Sequence, residues 1–171
     1  KHTNKKLLNQ IILRANSKIK IPESLTCSGF QKITHNKINL LMDCGPPVGE
    51  DTYAGSLSFE LSIGKNQMIV NCGSHYINNK IWTEAMKSTA AHSTLSIDNI
   101  NSSDIFFNKS KKKSRIANVW SQRRKQGNSH WIDAAHSGYR DIFGLIHSRK
   151  IHIDSEKKII RGQDYLSKSN K

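Results

Sequence analysis

The chain of 171 residues carries 27 basic against 13 acidic side chains, a net charge of +14. That length suits one domain, or one domain with an appendage, and is enough to bury a core. No apolar run is long enough to span a bilayer, and Cys27, Cys44 and Cys72 are too few and too far apart for a disulfide framework or a zinc ribbon.

Lys5 to Asn16 reads as a short amphipathic helix, with Leu7, Leu8, Ile11, Ile12 and Ala15 on one side, and Ile21-Pro22 ends that region. Residues 1–22 are therefore expected to be a helical connector, and residues 23–171 a separate folded unit. Ser28 to Ile33 reads as a first strand, and a turn at His35-Asn36-Lys37 leads into a second from Ile38 to Asp43. Gly45 to Gly49, with two prolines, is a loop. From Ser56 to Ile63, Leu57, Phe59, Leu61 and Ile63 alternate with polar residues, the period of a strand with one buried face. A turn at Gly64-Lys65-Asn66 and the run Gln67 to Asn71 complete a hairpin.

Gly73 to Ser88 lacks strand alternation and reads as a long irregular loop. Strand patterns resume at Thr94 to Ile97 and Ile105 to Phe107, followed by a basic turn from Lys109 to Ser114. Further strands are expected near Arg115 to Arg124, Trp131 to His136, Gly144 to Ile153 and Lys158 to Gly162, the last two joined at Asp154-Ser155-Glu156. The last residues, from Ser167, read as a frayed end. The expected fold is all-β, an antiparallel β-sandwich of about eight to twelve strands with a short N-terminal helix.

The positive charge has two readings: attraction to a polyanion, or compositional drift in a chain rich in Lys, Asn and Ile. The lysines are scattered, and no interleaved aromatic run marks an RNA-binding strand pair, so charge alone does not imply a nucleic-acid partner. Glu60 and Asp98 form no recognisable glycosidase pair, and no phosphate loop or Ser-His-Asp order is present. The three cysteines read as small, mostly buried thiols, which leaves the redox compartment open. Because the sequence begins at Lys1, a signal peptide ahead of it would not be seen.

Four segments in order carry a resemblance: Ser28-Gly29-Phe30-Gln31; Asp43 to Pro47; Ala54 to Leu61 with Ile69 to Gly73; and Ser88 to Leu95. Ala135-His136-Ser137-Gly138-Tyr139 and His147-Ser148-Arg149 continue it. Together they resemble the C-terminal β-sandwich domain of the heparinase II/III-like polysaccharide lyases, from about Cys27 onward. The resemblance implies a helical toroid preceding the sandwich, of which Lys5 to Asn16 would be the last helix, and a sugar chain bound in the cleft between them. It also implies an acidic polysaccharide as partner, with no nucleic acid, and a location in the periplasm or cell envelope.

Such a lyase removes the proton alpha to a uronate carboxylate and expels the 4-linked oxygen. It needs a group to neutralise the carboxylate, a base at the carbon and an acid at the leaving oxygen. By resemblance, His92 and Tyr76 are the catalytic candidates. His92 matches the family's histidine in an alanine-histidine-serine/asparagine-threonine motif, and in several relatives that histidine helps hold zinc. The usual partner positions here are Tyr53 and Asn71, poor zinc ligands, and a further relative's histidine falls at Asp51. Zinc is therefore disfavoured as a cofactor, and no other is implied. A hydrogen-bonded structural histidine is the plain alternative for His92. Tyr76, beside His75, is either a cleft-facing residue or an ordinary loop aromatic.

His136, Tyr139, His147 and Arg149 form a second constellation on neighbouring strands. A turn through Ser137-Gly138 brings Tyr139 near His136. His136, Tyr139 and Arg149 are the substrate-binding candidates, with Arg149 and Lys150 suited to a uronate carboxylate or a sulfate. The plain alternative is an inter-strand hydrogen-bond network. Trp120 and Trp131 offer faces for sugar stacking, though tryptophan in a sandwich is more often core. The leading expectation is the sandwich half of a lyase acting by β-elimination, inactive without its toroid. The competing ones are a non-catalytic carbohydrate-binding or envelope-structural sandwich, and polyanion binding through charge alone.

Overall fold

In the computed structural model, residues 28–47, 53–73, 79–104 and 115–169 are described, together with a two-residue strand at Ser24–Leu25. The expected helix at Lys5 to Asn16, the strand at Ile105 to Phe107, the basic turn at Lys109 to Ser114, and His75 and Tyr76 lie outside the described residues.

The apolar alternation builds two antiparallel sheets. The first contains β1 (Ser24–Leu25), β2 (Phe30–His35), β3 (Ile38–Asp43), β4 (Phe59–Ile63) and β5 (Asn66–Ile69), neighbours in chain order. The second contains β6 (Val119–Gln126), β7 (Ser129–His136), β8 (Leu145–Asp154) and β9 (Ile159–Lys168), again in chain order. Each sheet is a meander in which short turns join β2 to β3, β4 to β5, β6 to β7 and β8 to β9, while longer segments join β3 to β4 and β7 to β8. Asn36 at φ 53° and Gly127 at φ 54° supply the left-handed backbone that such tight hairpins require. The expected all-β sandwich is the fold.

Period-two alternation sends Ile33, Leu40, Met42 and Leu61 of the first sheet towards Ile132, Ala134, Ile151 and Ile153 of the second, forming one core. Each fully buried aliphatic side chain contributes about 1.5–3 kcal/mol relative to exposure. Polar links also cross between the layers: Gln31 Nε2 donates to Ser121 Oγ at 3.1 Å, and Arg123 donates to the Lys32 carbonyl.

Four details differ from the sequence reading. β4 starts at Phe59 because Leu57 sits in a turn at φ 63°, although its side chain is fully buried. The alternation thus marked burial correctly, and the backbone turned one residue pair earlier. Thr94 to Ile97 forms no strand; a single bridge joins Ile97 to Ile100 across left-handed Asp98 and Asn99. β9 runs on past Gly162 to Lys168, so residues read as frayed belong to a ten-residue strand.

The fourth difference lies in the stretch read as an irregular loop, which contains α1 (Lys80–Lys87). Asn79 caps it, its Oδ1 accepting from the N–H of Ile81 at 3.0 Å and of Trp82 at 3.3 Å. Lys80 and Glu84 pair one turn apart at 3.7 Å, and Lys87 stands at the negative end of the helix dipole. A 3-10 turn at Thr89–Ala91 follows, then a short helix α2 (Arg140–Phe143) connects β7 to β8. Among the described residues, no helix is long and apolar enough to cross a membrane.

The start of β2 and the end of β3 are pressed together at two glycines. A Cβ on Gly29, which has φ +74°, would lie 2.3 Å from the Gly45 Cα. Gly64, at φ +62°, has nothing within 4 Å of the same position. Gly64→Ala is predicted to lose about 1–2 kcal/mol, the left-handed backbone penalty alone. Gly29→Ala is predicted to lose about 3 kcal/mol or more, since overpacking adds to that penalty. Denaturant midpoints read both, and equal losses would show that the two segments separate freely.

Candidate functional site

The site is assembled where the loops after β3, α1 and the 3-10 turn meet one end of β4. Thr89 is its anchor: fully buried, its Oγ1 donates to the Ala54 carbonyl at 2.8 Å and accepts from the Ser102 N–H at 2.9 Å. That fixes His92 three residues on, whose N–H donates to the Thr89 carbonyl at 3.1 Å. The half-buried His92 ring places Nδ1 2.8 Å from the Ser88 carbonyl. A carbonyl only accepts, so Nδ1 carries the proton and Nε2 keeps the lone pair. The ring lies flat against Gly55, where a Cβ would meet its Cδ2 at 2.9 Å.

Around His92 stand Tyr53, edge-on at 5.9 Å between ring centroids, and Lys87, 5.9 Å from the Tyr53 ring. Asn71 Oδ1 accepts from the Ser93 N–H at 2.8 Å. Asp43 lies close enough to couple electrostatically to His92. Burial raises its carboxyl above the usual range, and the Gly45 N–H and His92 offset this only in part. Sequence reasoning missed Asp43 and Lys87 as members of this cluster. Asp43 appeared only as the end of a strand and the start of a segment carrying the resemblance, and Lys87 lay in a stretch not recognised as helical.

The second constellation is inside the protein. His136, Tyr139 and His147 are fully buried and Arg149 is 7% exposed. The Gly138 N–H donates to His136 Nδ1 at 3.0 Å, so that nitrogen accepts and Nε2 carries the proton. His136 Nε2 then donates to His147 Nδ1 at 3.0 Å, and His147 Nε2 donates to Asp164 Oδ1 at 2.7 Å. The order of protons fixes both tautomers. The Tyr139 hydroxyl donates to the Leu95 carbonyl at 2.8 Å, and burial raises its pKa.

Arg149 ends the chain of bonds. Its Nε and Nη2 hold the two oxygens of Asp164 at 2.7 and 3.0 Å. Its Nη1 donates to the Leu57 carbonyl at 2.7 Å and to the Ser93 carbonyl at 2.6 Å. The guanidinium therefore clamps the His92 loop onto the second sheet. These are the bonds of an inter-strand network, and they engage four of the five N–H donors of a side chain that is 7% exposed. Lys150, one residue on, projects from the opposite face, as strand geometry demands. The expected pairing of Arg149 with Lys150 on one anion is thus ruled out by the pleat. Asp164 itself was invisible to the sequence reading, because the expected strand stopped at Gly162, two residues short of it.

Cys44 is buried, which pushes its thiol up to about 12, whereas Cys72 is exposed, against the expectation of buried thiols. Both tryptophans read as core or stacking residues lie on the outer face of the second sheet. Trp120 is 51% exposed, and Trp131 is stacked on His152 at 4.8 Å.

Residues 20–171 match the family described as Heparinase II/III-like, C-terminal. The chain belongs to this family. It is also 27% identical over 159 residues to FtsZ-localized protein C of Caulobacter vibrioides (strain NA1000 / CB15N), a span of 85% of this chain and 27% of that relative. The chain therefore corresponds to little more than a quarter of that relative's length. No solved structure matches it significantly.

The zinc that several members of the heparinase II/III-like family hold does not fit the residues present. Asn71 Oδ1 is committed to the Ser93 N–H, and Tyr53 offers a neutral phenol. Among the described residues, no three His, Cys, Asp or Glu side chains gather into a metal-binding group.

The internal network makes the domain acid-sensitive. Burial, then the charges of His147 and Arg149, lowers the His136 pKa from 6.5 to about 3. Asp164 is held below the usual carboxylate range: burial opposes this, but the bonds from His147 and Arg149 outweigh it. Below the free value of 6.5 the unfolded chain takes up a proton that folded His136 refuses, so stability is full above that pH and falls toward about 3. Asp164 adds a further loss below its free value of 3.8. Urea titrations are predicted to show a loss approaching about 1.4 kcal/mol per pH unit between roughly pH 6 and 4. His136→Gln, which keeps one donor and one acceptor, should flatten that slope; an unchanged slope would place the titrating group elsewhere.

Proposed function

We propose that this domain is the sandwich portion of a larger envelope protein that engages an acidic, uronate-containing polysaccharide and holds it without itself carrying out elimination. The observation that carries this reading is that the second constellation, although rich in acid, base and cationic side chains, is withdrawn from solvent. His136, His147 and Arg149 are buried and bonded to one another, to Asp164 and to backbone, and Tyr139 is buried with its hydroxyl on a carbonyl. Family membership supports a glycan as partner, and the net charge of +14 supports an acidic one. The relative's name, FtsZ-localized protein C, states a location and no reaction, which agrees with a non-catalytic role.

One observation favours a second reading, β-elimination by the complete protein. His92 keeps an unprotonated Nε2 at a cluster that also holds Tyr53, Asn71 and Lys87. There the imidazole would take the alpha proton and the Lys87 ammonium would face the uronate carboxylate. By the family resemblance, Tyr76 is the candidate for the acid. For either reading the compartment we propose is the periplasm or cell envelope.

The full-length protein is assayed against heparan sulfate and alginate, with retardation in affinity gels read alongside ultraviolet absorbance of an unsaturated product. The expected result is retardation without new absorbance. Absorbance that grows with time and disappears in His92→Ala would establish the lyase reading instead. Failure of both polymers to retard the protein would end both glycan readings, and retardation by any polyanion that vanishes with modest salt would leave charge alone.

A further inference from the structure

The outer face of the second sheet is arranged in rows that the strand register fixes. Trp120, Ala135, Ser148 and Tyr165 lie side by side across β6, β7, β8 and β9. Gln122, Asp133, Lys150 and Gln163 form the next row, and Arg124, Trp131, His152 and Arg161 the one after. The first row has large aromatic side chains at its ends and the smallest side chains between them. Those two aromatic residues stand about three strand spacings apart, roughly 14 Å. On the Trp120 side lies a depression of about 390 Å³ whose lining includes Trp120, Gln122, Asp133, Ala135, Ser148 and Lys150, and Tyr165 stands beyond it at the far end of the row.

Exposure and charge set what could lie there. Trp120 is 51% exposed and Tyr165 39%, so both rings meet solvent on a strand face whose other side is packed into the core. The Lys150 ammonium lies 5.4 Å from the Tyr165 ring centroid. Trp131 is different: His152 stacks on it at 4.8 Å and 7°, and the Arg124 guanidinium lies 5.8 Å from its ring. It is a floor and not a free platform. These three rows hold three cations, Arg124, Lys150 and Arg161, against one carboxylate, Asp133, which Arg124 holds at 2.9 Å. Lys150 and Arg161 remain for an incoming anion.

We propose that this depression is the binding surface for the acidic polysaccharide, with the sugar rings laid between Trp120 and Tyr165. It rests on the reading that the domain engages such a polymer, and adds where. A pyranose ring presents axial C–H groups that pack on an indole or phenol face, and hydroxyls that suit the Gln122 and Gln163 amides and the Asp133 carboxylate. Its carboxylate or sulfate goes to Lys150 and Arg161. Each kind of group on the sugar thus meets its complement within three adjacent rows. A nucleic acid fits less well, because its backbone carries a charge at every nucleotide and this face offers two uncommitted cations amid amides.

The surface can be altered without touching the core or the His92 cluster. In the full-length protein, Trp120→Ala and Tyr165→Ala are measured by calorimetry with heparan sulfate and alginate oligosaccharides. Each is predicted to weaken binding about tenfold, with thermal unfolding unchanged. Lys150→Gln with Arg161→Gln should weaken it similarly and reduce its salt dependence. Unchanged affinity in the aromatic variants, with wild-type binding intact, would overturn the assignment of this face and leave the glycan reading standing. Wild-type protein that binds neither oligosaccharide would overturn both. Trp120-dependent binding of a single-stranded oligonucleotide in preference to the sugars would also overturn it.

Discussion

A guanidinium at 7% exposure is an expensive thing to place in a sandwich, since removing a charge from water costs several kcal/mol. Arg149 offsets that cost with a two-point ion pair to Asp164 and two bonds from Nη1 to the Leu57 and Ser93 carbonyls. Those carbonyls belong to loops of the first sheet's side, while Arg149 and Asp164 are paired residues on β8 and β9. The apolar core would hold two sheets together in many registers. This fourfold polar contact selects one, because its bonds require particular carbonyls at particular distances. The loop that carries His92 takes its position from it.

The same contact explains why the protein's interior histidines do no chemistry in the reading preferred here. Asp164 accepts from both Arg149 and His147, and His147 in turn accepts from His136. Every proton in that series has an assigned place, which makes the series rigid and leaves none to transfer. Arg115 performs a comparable role at the other loop. Its Nη1 donates to the Ser102 and Gly138 carbonyls at 2.8 and 2.6 Å, tying the segment after the 3-10 turn to the β7–α2 corner. The surfaces that these clamps hold in place are the two to which function is proposed to fall: the His92 cluster at the end of β4, and the aromatic and basic rows outside β6 to β9.

Much of the fold could be read from alternation and turns. Ile38, Leu40 and Met42 alternate cleanly, and Asn36 and Gly64 mark hairpins where the chain does reverse. Leu57 shows the limit of that signal, since period two reports which side chains are buried and says nothing of a left-handed backbone. α1 was hidden because it buries no residue, so its evidence lay in the Asn79 cap and the Lys80–Glu84 pair instead of a long apolar stripe. For the site, the sequence identified His92, His136, Tyr139 and Arg149 as a set worth naming. It could not separate the exposed from the buried, because that depends on which strand face each occupies and on Asp164, a partner fifteen residues from Arg149.

The account turns on whether Arg149 and Asp164 fix the His92 loop to the second sheet. Amide hydrogen exchange in wild type and Asp164→Asn tests this directly, since the substitution keeps the side chain's shape and removes its charge. The account predicts faster exchange at the Phe59 and Ser93 amides, with the β2–β3 ladder still protected. Retained protection at Phe59 and Ser93 would contradict it, by showing that the loop is positioned without the clamp.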